Sequence, residues 1–285
     1  MSIRDRSTRY MSALKAVSVV AACAVTFGCS IEADDAGRLS VSFGQGATEE
    51  FRWSGALAPG ATLEVKAVNG AVHAEPARGG QAEVVALKRA RRGDPSEVQI
   101  EVVEHEGGIT ICAVHPDDGS DRPNVCLPGD AGHLGARRSN VSVEFTVRVP
   151  DGIDFVGRTV NGAISAEDLD RNVDIRTVNG SARFSTAGYG VARTVNGSIT
   201  GRLGSADWDG ELEFESVNGS ITLSFADALN ADVEMRTVNG SLDTDFPLTA
   251  QGRINRRRLR GTIGTGGRIL TLSTVNGSVR LRDAM

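Results

Sequence analysis

"RTVNGS" occupies Arg176–Ser181, and its letters return along the chain. Close copies stand at Arg193–Ser198, Arg236–Ser241 and, as "TVNGS", at Thr274–Ser278. Looser copies are "SVNGS" at Ser216–Ser220, "TVNGA" at Thr159–Ala163 and "AVNGA" at Ala67–Ala71. A catalytic motif is ordinarily needed once. One used seven times points to geometry, or to a surface made by repetition.

The asparagines of the copies are Asn69, Asn161, Asn179, Asn196, Asn218, Asn239 and Asn276. From Asn161 onward they are spaced by 18, 17, 22, 21 and 37 residues. A period near 20 marks a repeat architecture, and the doubled last interval predicts one repeat without the motif. Alignment on Asn shows period-2 alternation. Two residues before it stand Thr159, Thr177, Thr194, Ser216, Thr237 and Thr274; four before stand Gly157, Ile175, Ala192, Phe214, Met235 and Leu272. Between them lie Arg158, Arg176, Arg193, Glu215, Arg236 and Ser273. The alternation resumes after Gly, with Ile164, Ala182, Ile199, Ile221, Leu242 and Val279 on the apolar side. Each repeat therefore reads as strand, Asn-Gly corner, strand, and no stretch after the N-terminal segment sustains helical spacing.

Two architectures fit. Asn-Gly between alternating strands is a hairpin signal because both residues tolerate φ > 0. In a β-solenoid, by contrast, each repeat is one coil and equivalent positions stack about 4.8 Å apart. Only the solenoid explains near-identity of copies, since like residues then touch and stacked Asn side chains form an amide ladder. The expectation is an all-β, single-domain β-solenoid of about 18–22 residues per coil. In this reading Asn and Gly take the left-handed turn. Alternation would turn the Val before Asn outward, so the chain is expected to bend at Thr-Val and tuck Val into the corner.

The N-terminus reads as a targeting segment. Arg4, Arg6, Arg9 and Lys15 precede an apolar run, Ala16–Phe27, too short to span a membrane. Gly28-Cys29, followed by Ser30, resembles a bacterial lipobox; Cys29 is the preferred lipidation site and Cys23, in "VAAC", the alternative. This gives a lipoprotein signal peptide at residues 1–29 and a tether at 30–39. Without residues 1–29 the chain keeps 27 basic and 35 acidic side chains, which argues against a nucleic-acid binder. Residues 40–150 contain longer alternating runs and read as an N-terminal cap and first coils. Residues 151–284 form the repeat solenoid, continuous with them in one domain, 40–284. Cys112 and Cys126 are expected to pair in an oxidising compartment. A metal site with His115 or His133 is the alternative, and the spacing fits no standard zinc pattern.

The repeats, together with "ICAVHP…CLPG", "GHLGARRSNVSVEFTVRVPDGI" and the ending "GTIGTGGRILTLSTVNGSVRLR", resemble a bacterial adhesin-like β-strand-repeat family of unknown function. The resemblance covers roughly residues 60–283. It implies a β-solenoid, often secreted or lipid-anchored, with no catalytic residues to carry over.

Candidate chemistry is thin. His73, His105, His115 and His133 fall in no metalloprotease spacing, and "GTIGTGG" at Gly261–Gly267 lacks a P-loop Lys. Asp168/Asp170, Asp207/Asp209 and Asp227/Asp232 sit in connections, where Asp is favoured for turn hydrogen bonds rather than for glycosidic cleavage. Two features remain: the turn ladder Asn161, Asn179, Asn196, Asn218, Asn239 and Asn276, and the row Arg158, Arg176, Arg193 and Arg236, joined by "RINRRRLR" at Arg253–Arg260. The row is a candidate anionic-ligand surface, or a solvated face paired with Asp174, Glu213 and Glu234. The function expected is that of a non-enzymatic, lipid-anchored envelope protein that binds or scaffolds. It would be monomeric, without cofactor or metal, and lipid-anchored in the bacterial cell envelope, in the outer membrane if the cell is Gram-negative. A glycan or protein is the expected partner. An envelope-polysaccharide enzyme and a partner-binding stress regulator are the alternatives.

Overall fold

The computed structural model describes residues 31–33, 39–42, 47–117, 122–136, 139–250 and 255–284. The expected signal segment, with Cys23 and Cys29, lies outside them, as does much of the expected tether, although Ile31–Ala33 pairs with Leu39–Val41 as edge strands.

Alternation builds two sheets packed face to face, one from the strands before each Val-Asn-Gly corner and one from the strands after it. The sheet before the corners runs, in spatial order, Gln99–His105, Gly108–Val114, Thr62–Lys66, Asp154–Arg158, Val173–Arg176, Gly190–Asn196, Glu211–Asn218, Ile269–Asn276, Ala231–Asn239, Arg258–Ile263 and Thr249–Ala250. Within each sheet the repeat strands pair in parallel and in register, so the chain is a β-solenoid as expected. Among the described residues the only helical element is a 3₁₀ turn, Pro95–Glu97.

Two features differ from the sequence reading. No coil lacks the motif across the long interval. The coil 269–283 turns back and inserts between the coils 211–225 and 231–244, pairing in parallel with both. The intervening residues form a hairpin, Thr249–Ala250 with Arg258–Ile263, whose second strand runs antiparallel to Ala231–Asn239 and closes that end. The solenoid is thus capped at both ends. At the other end the insertion between Pro76 and Asp154 places Ala82–Ala90 and Val141–Val149 beside the first coil in one sheet, and Gln99–His105 and Gly108–Val114 beside it in the other.

The corner geometry also differs. Of the seven motif glycines only Gly70 has positive φ, 137°, and no motif Asn does. Gly is required for close approach: a Cβ on Gly180 would stand 1.9 Å from the Gly162 carbonyl oxygen. The same distance separates it on Gly162 from Gly70 O, on Gly219 from Gly197 O and on Gly240 from Gly277 O. Corner backbones stack so tightly that no side chain fits. The Thr or Ser two residues before Asn is buried and donates its hydroxyl to that same Gly carbonyl in the adjoining coil, at 2.8–3.1 Å. The first copy has Ala67 here, and it rests on cap strands rather than on another corner.

Stacking also explains the irregular core columns. Like positions share one volume, so Phe184 faces Gly201 in register; a Cβ there would lie 2.3 Å from the ring. Phe184 in turn stacks on Phe214 with centroids 6.2 Å apart. A large residue in one coil thus demands a small one in the next.

Gly180→Ala should therefore destabilise the protein by about 2–3 kcal/mol through overpacking against backbone that cannot yield. Gly79→Ala, which meets nothing within 4 Å, should stay within about 0.5 kcal/mol. Urea unfolding of both variants checks this, and equal midpoints would contradict the packing role.

Candidate functional site

The outward face of the sheet before the corners carries the charged rows. Strand register aligns Lys66, Arg158, Arg176, Arg193, Glu215, Ser273, Arg236 and Arg258 in one row. A parallel row two residues upstream contains Glu64, Asp174, Glu213, Thr271, Glu234 and Arg260. The sequence row Arg158, Arg176, Arg193 and Arg236 is thus brought together, and each guanidinium meets a carboxylate. Arg176 Nη2 lies 3.1 Å from Asp174 Oδ2, and Arg193 pairs with Glu213 and with Glu215 at 3.5 Å. Burial and the neighbouring Glu213 raise the Glu215 carboxyl above its ordinary range. A depression of about 260 Å³ lies mid-face among Asp174, Arg176, Val191, Arg193, Glu211 and Glu213.

At the N-terminal end a loop covers this face. Cys112 and Cys126 form the disulfide, with Cα atoms 5.8 Å apart and a sequence separation of 14. Closure of a loop this size contributes about 3 kcal/mol in the chain-entropy account. The loop is pinned from below: Lys66 Nζ donates to the carbonyls of Leu127, Gly129 (2.5 Å) and Ala131 (3.3 Å). Glu64 Oε2 accepts from Gly129 N and Thr110 Oγ1, both at 2.9 Å. Burial lowers the Lys66 ammonium, with Glu64 opposing. From the loop Asp130 reaches Arg158 and, at 2.8 Å, Arg176. Glu64 and Lys66 occupy the positions before Asn69 that Asp174 and Arg176 occupy before Asn179, so aligning the first copy with the others was the signal that finds them. Nothing local announces their burial, which comes from a loop about 60 residues downstream.

The asparagines do form a ladder. Asn161 Nδ2 donates to Asn69 Oδ1 at 2.9 Å, and the chain of 2.8 Å bonds continues through Asn179, Asn196, Asn218, Asn276 and Asn239. It begins at Asn69, one rung before the copies at Asn161 and beyond, and follows spatial rather than sequence order. The valines correct the expected bend: Val178, Val195, Val217, Val238 and Val275 are 39–49% exposed, and only Val68, under the cap, is buried. Alternation holds through Val, which points outward beside the Arg row.

Four of the six connection carboxylates, and His115, are held by structural contacts. Asp168, with φ 56°, accepts from Ser185, and Asp170 accepts from Gly152 N at 3.0 Å. Asp207 pairs with Arg268, and Asp232 accepts from Thr262 Oγ1 at 2.7 Å and Gly267 N at 3.1 Å. The Gly261–Gly267 stretch thus ends the strand Arg258–Ile263 and turns after it, bound to Asp232. His115 is buried and shares a 2.9 Å hydrogen bond with Ser139, while both nearby cysteines are used in the disulfide. Among the described residues no three His, Cys, Asp or Glu side chains converge as a metal site.

Two acid-sensitive groups follow from this geometry. Burial would raise the Glu234 carboxyl, but hydrogen bonds from Arg236 and Arg260 and the charges of Arg236 and Arg258 outweigh it and hold it at about 2. Its stabilising contribution is complete above the ordinary 4.5 and disappears as pH falls through about 2. Burial lowers His115 from 6.5 to about 4, so stability is lost as pH falls through that window because the folded state resists the proton. Unfolding measured against pH should show a wild-type advantage over Glu234→Gln that is flat above pH 5 and shrinks below 4.5. His115→Gln should flatten the slope between 6.5 and 4. An unchanged slope in either variant would contradict the assigned partners.

Comparison with known proteins adds the following. Residues 158–282 match the family described as Toastrack DUF4097, a span that holds six of the seven repeats but neither the first copy at Ala67–Ala71 nor the N-terminal cap. The fold is similar to a "putative cell adhesion protein" of Clostridium sporogenes, at 10% identity, over 82% of this chain and 99% of that one, with a TM-score of 0.45. It is similar also to a "putative adhesin" of Bacteroides fragilis, at 11% identity, over 82% and 96% of the two chains, with a TM-score of 0.29. No curated protein matches the chain.

Proposed function

We propose that the protein is a non-enzymatic, lipid-anchored β-solenoid of the bacterial cell envelope whose rigid stack presents a surface for binding or scaffolding. The observation that carries this reading is that the Thr, Asn and Gly of the motif are each spent on the neighbouring coil. Thr donates to its Gly carbonyl, Asn to its Asn, and Gly leaves room for its backbone. A chain that repeats this arrangement six times gains length and rigidity, and the outward residues are what the length displays. Of the carboxylates considered for glycan cleavage, Asp168, Asp170, Asp207 and Asp232 are held by Ser185, Gly152 N, Arg268 and Thr262, which supports display over chemistry.

The anchor rests on the sequence: Gly28-Cys29-Ser30 closes a short apolar segment. One triacylated or diacylated cysteine supplies enough buried hydrocarbon for stable attachment, and Ser30 favours the outer membrane. Expressed in an exporting bacterium, the wild-type chain should fractionate with membranes and carry acyl mass on its N-terminal cysteine. After a high-salt wash that removes electrostatic binding, Cys29→Ser should be released to the soluble fraction, and Cys23→Ser should not. Membrane association that survives both substitutions and the salt wash, or turnover of an envelope polysaccharide by the purified protein, would overturn the reading.

A further inference from the structure

Charge is divided along this chain with unusual sharpness. Residues 30–245 contain 19 Lys or Arg against 34 Asp or Glu, whereas Phe246–Arg282 contains eight Arg and no acidic residue. The fold concentrates much of that basic segment at one end. Arg258 and Arg260 lie on the closing strand, directly opposite Arg236 and Glu234 respectively. Glu234 is thus shared among three guanidiniums: Arg236, Arg258 at 2.8 Å and Arg260 at 2.7 Å. Like charges placed directly opposite each other across strands repel, and one carboxylate neutralises one of the three. Asp232, whose oxygens are held by Thr262 and Gly267 N, is the other acid on this part of the face. At the hairpin tip Arg256 and Arg257 are exposed and form no ion pair among the described residues. The strand on the inner side contributes only Thr271 and Ser273 at these levels. Five guanidiniums therefore face two carboxylates.

This end is opposite the N-terminal strands in the stack. Beside its tip, where Thr237 N bonds the Arg257 carbonyl, Val238 is 49% exposed, the most exposed of the valine row.

We propose that the Arg236–Arg258–Arg260 cluster with the Arg256-Arg257 tip is a docking site for the phosphate headgroups of an anionic membrane surface. Three observations select a surface over a soluble polymer. The excess charge is a compact patch at one end and not a stripe. A linear polyanion lying along the face would run over Glu215, Glu213 and Asp174, which already neutralise Arg193 and Arg176. The acidic remainder of the chain would be repelled by the same surface, and that turns the molecule end-on. The valine at the patch edge meets the acyl boundary once the guanidiniums engage headgroups. This site lies at the opposite end from the proposed lipid anchor and does not depend on it.

The test uses the full chain with Cys23→Ser and Cys29→Ser, so that no acyl group contributes. Co-sedimentation with vesicles of phosphatidylcholine alone is compared with vesicles that also contain phosphatidylglycerol. Binding should be at least about tenfold stronger to the anionic vesicles and should fall as salt is raised. Arg256→Ser/Arg257→Ser should weaken it by roughly fivefold for each Arg removed. Arg183→Ser/Arg202→Ser, which removes the same charge from the other sheet, should leave it unchanged. Equal binding to both vesicles, or a tip variant that binds like the parent, overturns the proposal. So does capture by soluble polyphosphate with no vesicle binding, which would assign the patch to a polymer. None of these outcomes bears on acylation of Cys29.

Discussion

The structure depends on how closely two corner backbones approach. With a Gly carbonyl where the next coil's Cβ would have to stand, the corner accepts no side chain. That contact sets the spacing at which the other letters work. The hydroxyl of Thr or Ser reaches the same carbonyl, and the Asn amide reaches its counterpart at 2.8–2.9 Å. Each of these bonds contributes modestly by itself. Because the Asn amides polarise one another in a single direction along the stack, they reinforce each other. A residue that spoils one corner removes contacts on both sides of it.

Identical corners also free the stack from sequence order. The last coil carries the same letters as the rest, so it fits between the coils 211–225 and 231–244 as well as it would at the end. What keeps it inside is the hairpin 249–263. That hairpin closes the exposed edge of Ala231–Asn239 with an antiparallel partner and leaves no parallel edge for another coil in that sheet. Capping and insertion are two results of one excursion, and the excursion brings the basic segment to the surface at that end.

Much of this was legible in the sequence because stacking makes neighbours of equivalent positions. Alignment on Asn exposed the two faces, the Thr column and the Arg row, and two lone cysteines beyond residue 29 predicted their bond. What the sequence hid was of three kinds. Gly serves both a left-handed turn and a close approach, so its presence could not choose between them, and only Gly70 has positive φ. Motif spacing says which residues are equivalent and is silent on which coil lies beside which, so the 37-residue interval read as a missing coil. Burial of Glu64 and Lys66 depends on a distant loop laid over an otherwise solvated face, and alternation alone places both outside. The valines are the converse: alternation put them outside correctly, and the intuition that a repeated aliphatic must be buried was the error.

The central claim is that every corner sits on another corner, with the last coil inserted. Oxidative cross-linking of paired cysteine substitutions reads that order directly, since a disulfide forms only between strands in contact. Ser278 lies between its neighbours, its N 3.1 Å from Ser220 Oγ and its Oγ 2.9 Å from Ser241 Oγ. Ser220→Cys/Ser278→Cys and Ser241→Cys/Ser278→Cys should both cross-link, and Ser220→Cys/Ser241→Cys should not. A cross-link in the last pair with none in the first would restore sequential stacking and contradict the account.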